Sequence, residues 1–264
     1  MKVIQALLLG ILQGVTEFLP VSSSGHLVLA RALMGIGDVP ILFDVILHVA
    51  TLLVVIWVFR RRIAGILVSL YRFVVRRTDE SDRPYLILTG QLAAASVVTA
   101  VIGLGISRVE IREDPRVVSA LLLVTAVLLL ATLRSRGMRG IQSIGWGRSL
   151  VMGAAQGLGV FPGISRSGIT ISSGLLCGLD RKAAGEFSFL LSLPAVGGAF
   201  LLTLKDAAEL SEAVPTLSLV VGFAAALAAG YASLRLLLWL VEDGRLWIFA
   251  IYLIPAGICG LLFF

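Results

Sequence analysis

The 264 residues are 58% hydrophobic and 14% charged, with a mean hydropathy of +1.00. That much apolar surface excludes a soluble globular domain and predicts an all-α polytopic membrane protein, one helical bundle over 1–264. The net charge of +6 is almost all arginine in loops, where it sets topology rather than nucleic-acid binding, and Cys177 and Cys259 form neither a disulfide nor a metal pattern.

Met1-Lys2 and the apolar residues after them have the composition of a signal peptide. The Glu17–His26 block that follows is no small-residue cleavage site, so the segment is expected to be retained. Residues 3–36 hold two apolar arms, 3–20 and 27–36, interrupted at Ser22–His26. A spanning helix needs about 20 apolar residues, so neither arm is a comfortable span, and a re-entrant hairpin with a polar tip is expected. Residues 41–59 can span; Arg60-Arg61-Arg62, an amphipathic stretch over 63–75 and Arg76-Arg77 follow. Spans are predicted over 84–106 and 117–133, separated by the mixed-charge loop 107–116. Arg134, Arg136, Arg139 and Arg148 lead to a second broken segment, about 149–179, with its tip at Pro162–Gly168. After Asp180-Arg181-Lys182 come three more spans, 185–204, 216–240 and 246–264.

The basic loops 60–83 and 134–148 are two spans apart and fall on one side, taken as cytoplasmic; 107–116 and 205–214, richer in acids, fall outside. Trp57, Trp146, Trp239 and Trp247 land at cytoplasmic ends, and Arg235 can snorkel there. Each half, about 1–135 and 145–264, then has one hairpin and three spans. Three is odd, so the halves are inverted, both chain ends lie outside, and the tips can meet near the midplane.

A repeat supports the pairing. Gln13, Gly14, Phe18, Ser22, Ser24 and Gly25 recur as Gln156, Gly157, Phe161, Ser165, Ser167 and Gly168, always at an offset of 143. The copies differ at Glu17, Ser23 and His26, which face Val160, Arg166 and Ile169. Polar groups at membrane depth are expensive and mark function. Arg166, a permanently charged fork, suits phosphate oxygens; its alternative role is a buried counter-ion for Glu17. Ser165, Ser167, Gly168 and Thr170 add donors at a helix start, an anion cradle. Glu17 can hold a divalent cation completed by substrate phosphates, act as a base, or stay a buried neutral acid. His26 can activate a serine or attack phosphorus itself, and Ser23, three residues before it, is the candidate nucleophile. Gln13, one turn before Glu17, can orient a phosphate or water, while Ser22 and Ser24 add hydroxyls. Asp44, His48 and Glu186 are expected to bond between helices or support the tips. The residues alone fit either an enzyme or a transporter of an anionic lipid.

The segment Gln13–His26 resembles the (E/Q)xxxE block of the bacitracin-resistance family of undecaprenyl-diphosphate phosphatases. Pro162–Thr170 is similar to that family's PGxSRSxxT block, and the likeness continues through Gly185–Leu191. The resemblance implies six transmembrane helices plus two oppositely oriented re-entrant hairpins. It implies hydrolysis of undecaprenyl diphosphate to the monophosphate on the outer side of the cell membrane, which recycles the carrier for peptidoglycan and confers bacitracin resistance. It also implies a divalent cation, Mg2+ or Ca2+, and allows a homodimer. By motif position Glu17 matches the essential acid and cation ligand, Arg166 the phosphate-binding arginine, and Ser23 and His26 the candidate nucleophile and its partner, with either the serine or the histidine as the attacking group. Ser165 and Thr170 match phosphate-side hydroxyls, with Gln13, Ser22, Ser24 and Ser167 as further substrate contacts. Many relatives carry Glu where this chain has Gln13, which removes one carboxylate from the implied cation site. The remaining alternative is a flippase for a polyprenyl phosphate.

Overall fold

The structure, a computed structural model, describes residues 1–36, 40–108, 114–135, 137–204 and 214–263. Among them all regular structure is helical, apart from one isolated bridge between Arg139 and Leu179. Residues 109–113 and 205–213, which carry most of the outer-loop charge balance, and Arg136 lie outside the described residues.

In chain order the helices are α1 (Val3–Phe18), α2 (Ser23–Leu33), α3 (Ile41–Val58), α4 (Arg60–Val74), α5 (Arg83–Ser107) and α6 (Pro115–Ala131), followed by α7 (Trp146–Leu158), α8 (Arg166–Leu176), α9 (Arg181–Thr203), α10 (Thr216–Glu242) and α11 (Ile248–Phe263). Among the described residues five segments are long and apolar enough to cross a bilayer: Ile41–Val58, Glu80–Ile106, Arg116–Arg134, Arg181–Thr203 and Thr216–Glu242. This is a multi-pass membrane protein. The segment expected as the sixth span forms the 16-residue α11, about 24 Å long and broken in its pairing by Pro255. At 16, 11, 13 and 11 residues, α1, α2, α7 and α8 are each too short to cross about 30 Å of hydrocarbon unaided.

Both breaks have the same local cause. Pro20 forces Leu19 out of the helical region (ψ 137°), and Ser22 then takes a left-handed turn at φ 70°. In the second break Pro162 is followed by Gly163 at φ 96°. The breaks are narrower than the sequence predicts. Helix α2 starts at Ser23, so Ser23–His26 form its first turn, and α8 starts at Arg166. The breaks touch: Gly163 N donates to Ser22 Oγ (3.2 Å), and a side chain at Gly168 would press on Pro20.

Glycines set the helix packing, as expected where lipid gives no hydrophobic drive between helices. A Cβ at Gly10 would lie 2.2 Å from Gly222 O, so α1 and α10 are in backbone contact, and Ser233 Oγ donates to Gly14 O (2.6 Å). A Cβ at Gly153 would lie 2.4 Å from Ala95 O, and Thr99 Oγ1 donates to Gly153 O (2.9 Å), which joins α7 to α5. Gly10 and Gly153 are one repeat offset apart. The principal pairings follow the repeat: α1 with α10 exchanges for α7 with α5, whereas α3 with α9 and α6 with α11 pair each half's element with its own counterpart.

Candidate functional site

The site forms where the breaks meet. Glu17 lies in the last turn of α1 and is buried, with both carboxylate oxygens in contact with protein donors. Arg166 Nη2 donates to Oε1, while Gln13 Nε2 (2.9 Å), Ser23 Oγ (3.0 Å) and His48 Nε2 (3.3 Å) converge on Oε2. Four elements meet on one carboxyl group. Gln13 is one helical turn back on α1, Ser23 opens α2, His48 comes from α3 and Arg166 opens α8. A carboxylate at this depth persists only with such partners. The ion pair shows Arg166 in its counter-ion role; the guanidinium has five donors, so the contact leaves others for a ligand.

The placement of Arg166 needs Gly159, where a Cβ would lie 2.9 Å from Arg166 Cα. Ser165 caps α8 by accepting from Gly168 N (3.1 Å), so the first N–H groups of that helix open on the site. Thr125 of α6 secures the same tip, donating to Gly163 O (3.3 Å) and accepting from Ser165 N (3.2 Å).

Glu17, Ser22, Ser23, Ser24, Ser165 and Arg166 line a cavity of about 200 Å3, together with Thr16, His48, Gly159, Val160 and Ile164. It is smaller than the roughly 300 Å3 of a drug-sized pocket, so it has room for a phosphate head and none for a long hydrocarbon tail. Four expected site residues stand outside this lining. Gln13 is buried behind Glu17. Ser167 shares a hydrogen bond with Ser165 (3.2 Å), and Thr170 Oγ1 donates to Arg166 O (2.7 Å), so both brace the turn that carries Arg166. His26 turns away from Ser23: Nδ1 meets Ser22 O (2.8 Å) and Nε2 meets Tyr252 Oη (2.6 Å).

Of the residues expected in support, Asp44 pairs with Arg31 (2.9 Å) and Glu186 with Arg62 (2.5 Å), each between helices. His48 differs, touching Glu17 directly. Thr125 and Tyr252 have no sequence signal; each is one polar residue in an apolar helix.

The fit to a divalent cation is tested by Gln13. Its Nε2 serves Glu17, and its buried Oε1 has no hydrogen-bond partner. An orphaned amide oxygen beside a carboxylate and a serine hydroxyl is a hard, all-oxygen donor set of the kind Mg2+ and Ca2+ take. It is incomplete, because no cluster of three acidic, His or Cys ligands occurs among the described residues. Substrate oxygens would have to finish it.

The family described as bacitracin resistance protein BacA matches residues 6–259. The undecaprenyl-diphosphatase of Treponema denticola is 45% identical over 258 residues, covering 98% of this chain and 96% of the relative. That of Desulfosudis oleivorans is 44% identical, covering 97% of each chain. That of Methanobrevibacter smithii is 38% identical, covering 98% of this chain and 96% of the relative.

Proposed function

This chain belongs to the bacitracin resistance protein BacA family, and from that premise we propose that it hydrolyses undecaprenyl diphosphate to undecaprenyl phosphate and inorganic phosphate. Recycling of the lipid carrier for peptidoglycan synthesis follows from that reaction, and resistance to bacitracin from the family. The observation that carries the reading is the convergence of Ser23 and Arg166 on Glu17 inside a polar cavity at a break in two membrane helices.

The residues divide the work as follows. The polyprenyl tail stays among the helices, and the diphosphate head enters the cavity. Its terminal phosphoryl group takes donors of Arg166 and the α8 N-terminus, which offset charge where it develops. A phosphate on Arg166 competes with Glu17 Oε1 and leaves the carboxylate free to accept a proton. Ser23 Oγ, already donating to Oε2, gives up that proton and bonds to phosphorus in line; the P–O bond to the bridging oxygen breaks and lipid monophosphate departs. Glu17 passes that proton to the departing monophosphate; water then attacks the phosphoserine and gives a proton to Glu17, the P–Oγ bond breaks, and Ser23 Oγ takes the proton back as phosphate leaves. A divalent cation held by Glu17, Gln13 Oε1 and substrate oxygens would add charge neutralisation at the phosphates. Direct attack by His26 fits less well, because both ring nitrogens already have partners.

The architecture that suits this reaction has six membrane crossings, with α11 as the sixth, and two re-entrant hairpins, α1–α2 and α7–α8, in an inverted repeat. The repeat-related exchange of helix pairs supports it. Both chain ends and the head-group opening lie on the outer face of the cytoplasmic membrane, and a homodimer is compatible with the exposed apolar flanks. The same exchange pattern favours a second reading, translocation of the monophosphate product. Phosphate release by purified protein supplied with undecaprenyl diphosphate tests the primary proposal. Lipid flipping without release would support translocation in its place.

A further inference from the structure

The hydroxyl of Tyr252 on α11 lies 2.6 Å from His26 Nε2, and the two rings lie 5.8 Å apart between centroids. His26 is one of two histidines in the chain, and Tyr252 is one of four tyrosines. The other ring nitrogen, Nδ1, meets the backbone carbonyl of Ser22 at 2.8 Å. A carbonyl can only accept, so Nδ1 carries the proton. In the neutral ring Nε2 is then the acceptor, and Tyr252 Oη–H donates to it.

The chain of contacts continues to the site. Ser22 is the left-handed residue of the first break (φ 70°), and its Oγ accepts from Gly163 N in the second break. The next residue is Ser23, whose hydroxyl points at Glu17. A non-glycine residue in this region costs of order 1 kcal/mol or more and persists only when its surroundings hold it. Hydrogen bonds from Gly163 N to its Oγ and from the His26 ring to its carbonyl do so here. On the other side of the site, Thr125 of α6 holds the second break in the same manner. Helices α6 and α11 pack against each other, and each secures one break.

We propose that Tyr252 is a positioning residue for hydrolysis. The Ser22 carbonyl sets the Nδ1–H form of His26, the Tyr252 hydroxyl holds that ring in place through Nε2, and His26 in turn holds the Ser22 turn that aims Ser23 at Glu17. This rests on the hydrolytic reading above. It assigns His26 to the scaffold of the nucleophile, with Nε2 capped by Tyr252 and unable to attack phosphorus while the cap is in place.

Tyr252→Phe keeps the ring and removes only the hydroxyl, so the fold is retained. Two measurements on the full-length protein in detergent test the idea. With [15N]histidine labelling only two imidazoles are visible, and His26→Gln assigns them. In the wild type His26 should show one protonated Nδ1 and a hydrogen-bonded, unprotonated Nε2. In Tyr252→Phe the Nε2 signal should shift as it loses that hydrogen bond, while Nδ1 stays protonated against the Ser22 carbonyl. In the phosphate-release assay kcat should fall about tenfold with KM unchanged, the size expected for one lost hydrogen bond. An unchanged His26 spectrum in Tyr252→Phe overturns the proposal. So does wild-type kcat in that variant, or in His26→Gln. A wild-type protein that releases no phosphate would fail the hydrolytic reading instead, and the imidazole spectrum would still decide whether Tyr252 holds His26.

Discussion

The two carboxylate oxygens of Glu17 divide the site between the two halves of the chain. Oε1 belongs to Arg166 and Oε2 to Gln13, Ser23 and His48. Arg166→Ala should lower kcat/KM by at least about a hundredfold in phosphate release, the loss seen when one preorganised donor to a developing charge is removed. Arg166→Lys should recover only part of it, since an ammonium lacks the guanidinium fork. His48→Leu should cost about tenfold, while His48→Gln, which retains a donor able to reach Glu17, should cost less; similar losses would separate His48 from the carboxylate. Much of this was readable in advance. Gln13 and Glu17 are one turn apart, and Arg166 sits at the repeat position of Ser23 with charge opposite to Glu17. His48 was not, because its contact depends on how α3 crosses α1, which no local pattern states. The separation of His26 from Ser23 was hidden for a related reason. Their three-residue spacing puts them near one face, but the partner that turns the imidazole outward, Tyr252, is 226 positions away.

Elements are shaped by two devices, proline-led breaks and glycine contacts. Gly153→Ala would set a Cβ 2.4 Å from the Ala95 carbonyl, backbone against backbone, and should cost about 1–3 kcal/mol. Gly105→Ala, with nothing within 4 Å, should be neutral or stabilise by up to about 1 kcal/mol. Thermal unfolding of both variants in one detergent checks the contrast, and equal midpoints would refute the contact account. Gly163→Ala should be worse than either expectation for an ordinary helical glycine, because its φ of 96° and the Val118 carbonyl at 2.4 Å both oppose a side chain. The helices were legible from their apolar runs and the breaks from Pro20, Pro162 and the glycines. The edges of the breaks were not. Ser23–His26 read as polar tip residues, yet all four open helix α2, and His26 N donates to Ser22 O once Ser22 has turned the chain. The amphipathic stretch after Arg60 likewise joins α3 almost without interruption.

At the scale of the whole molecule the repeat explains why one site needs both halves. Each half carries a broken helix pair, and the pairs of helices exchange under the repeat so that the breaks meet. Divergence at positions 17, 23 and 26 then gives one half the carboxylate, hydroxyl and imidazole and the other the arginine. The count of crossings remained legible only to within α11, whose 16 residues are shorter than the expected span. Its role in the site, through Tyr252, is a reason for it to sit against α6 and not merely to complete a bundle. For the inverted arrangement, a reporter active only in the cytoplasm should be silent when fused after Phe264 and active when inserted after Arg77; the reverse pattern would reject the orientation. The central claim, that Glu17, Ser23 and Arg166 act together on a lipid diphosphate, is tested most directly by phosphate release from undecaprenyl diphosphate by the purified wild type, Ser23→Ala and Arg166→Ala. Steady release by the wild type and a loss of at least about a hundredfold in both variants are expected. Wild-type rates in either variant would contradict the claim.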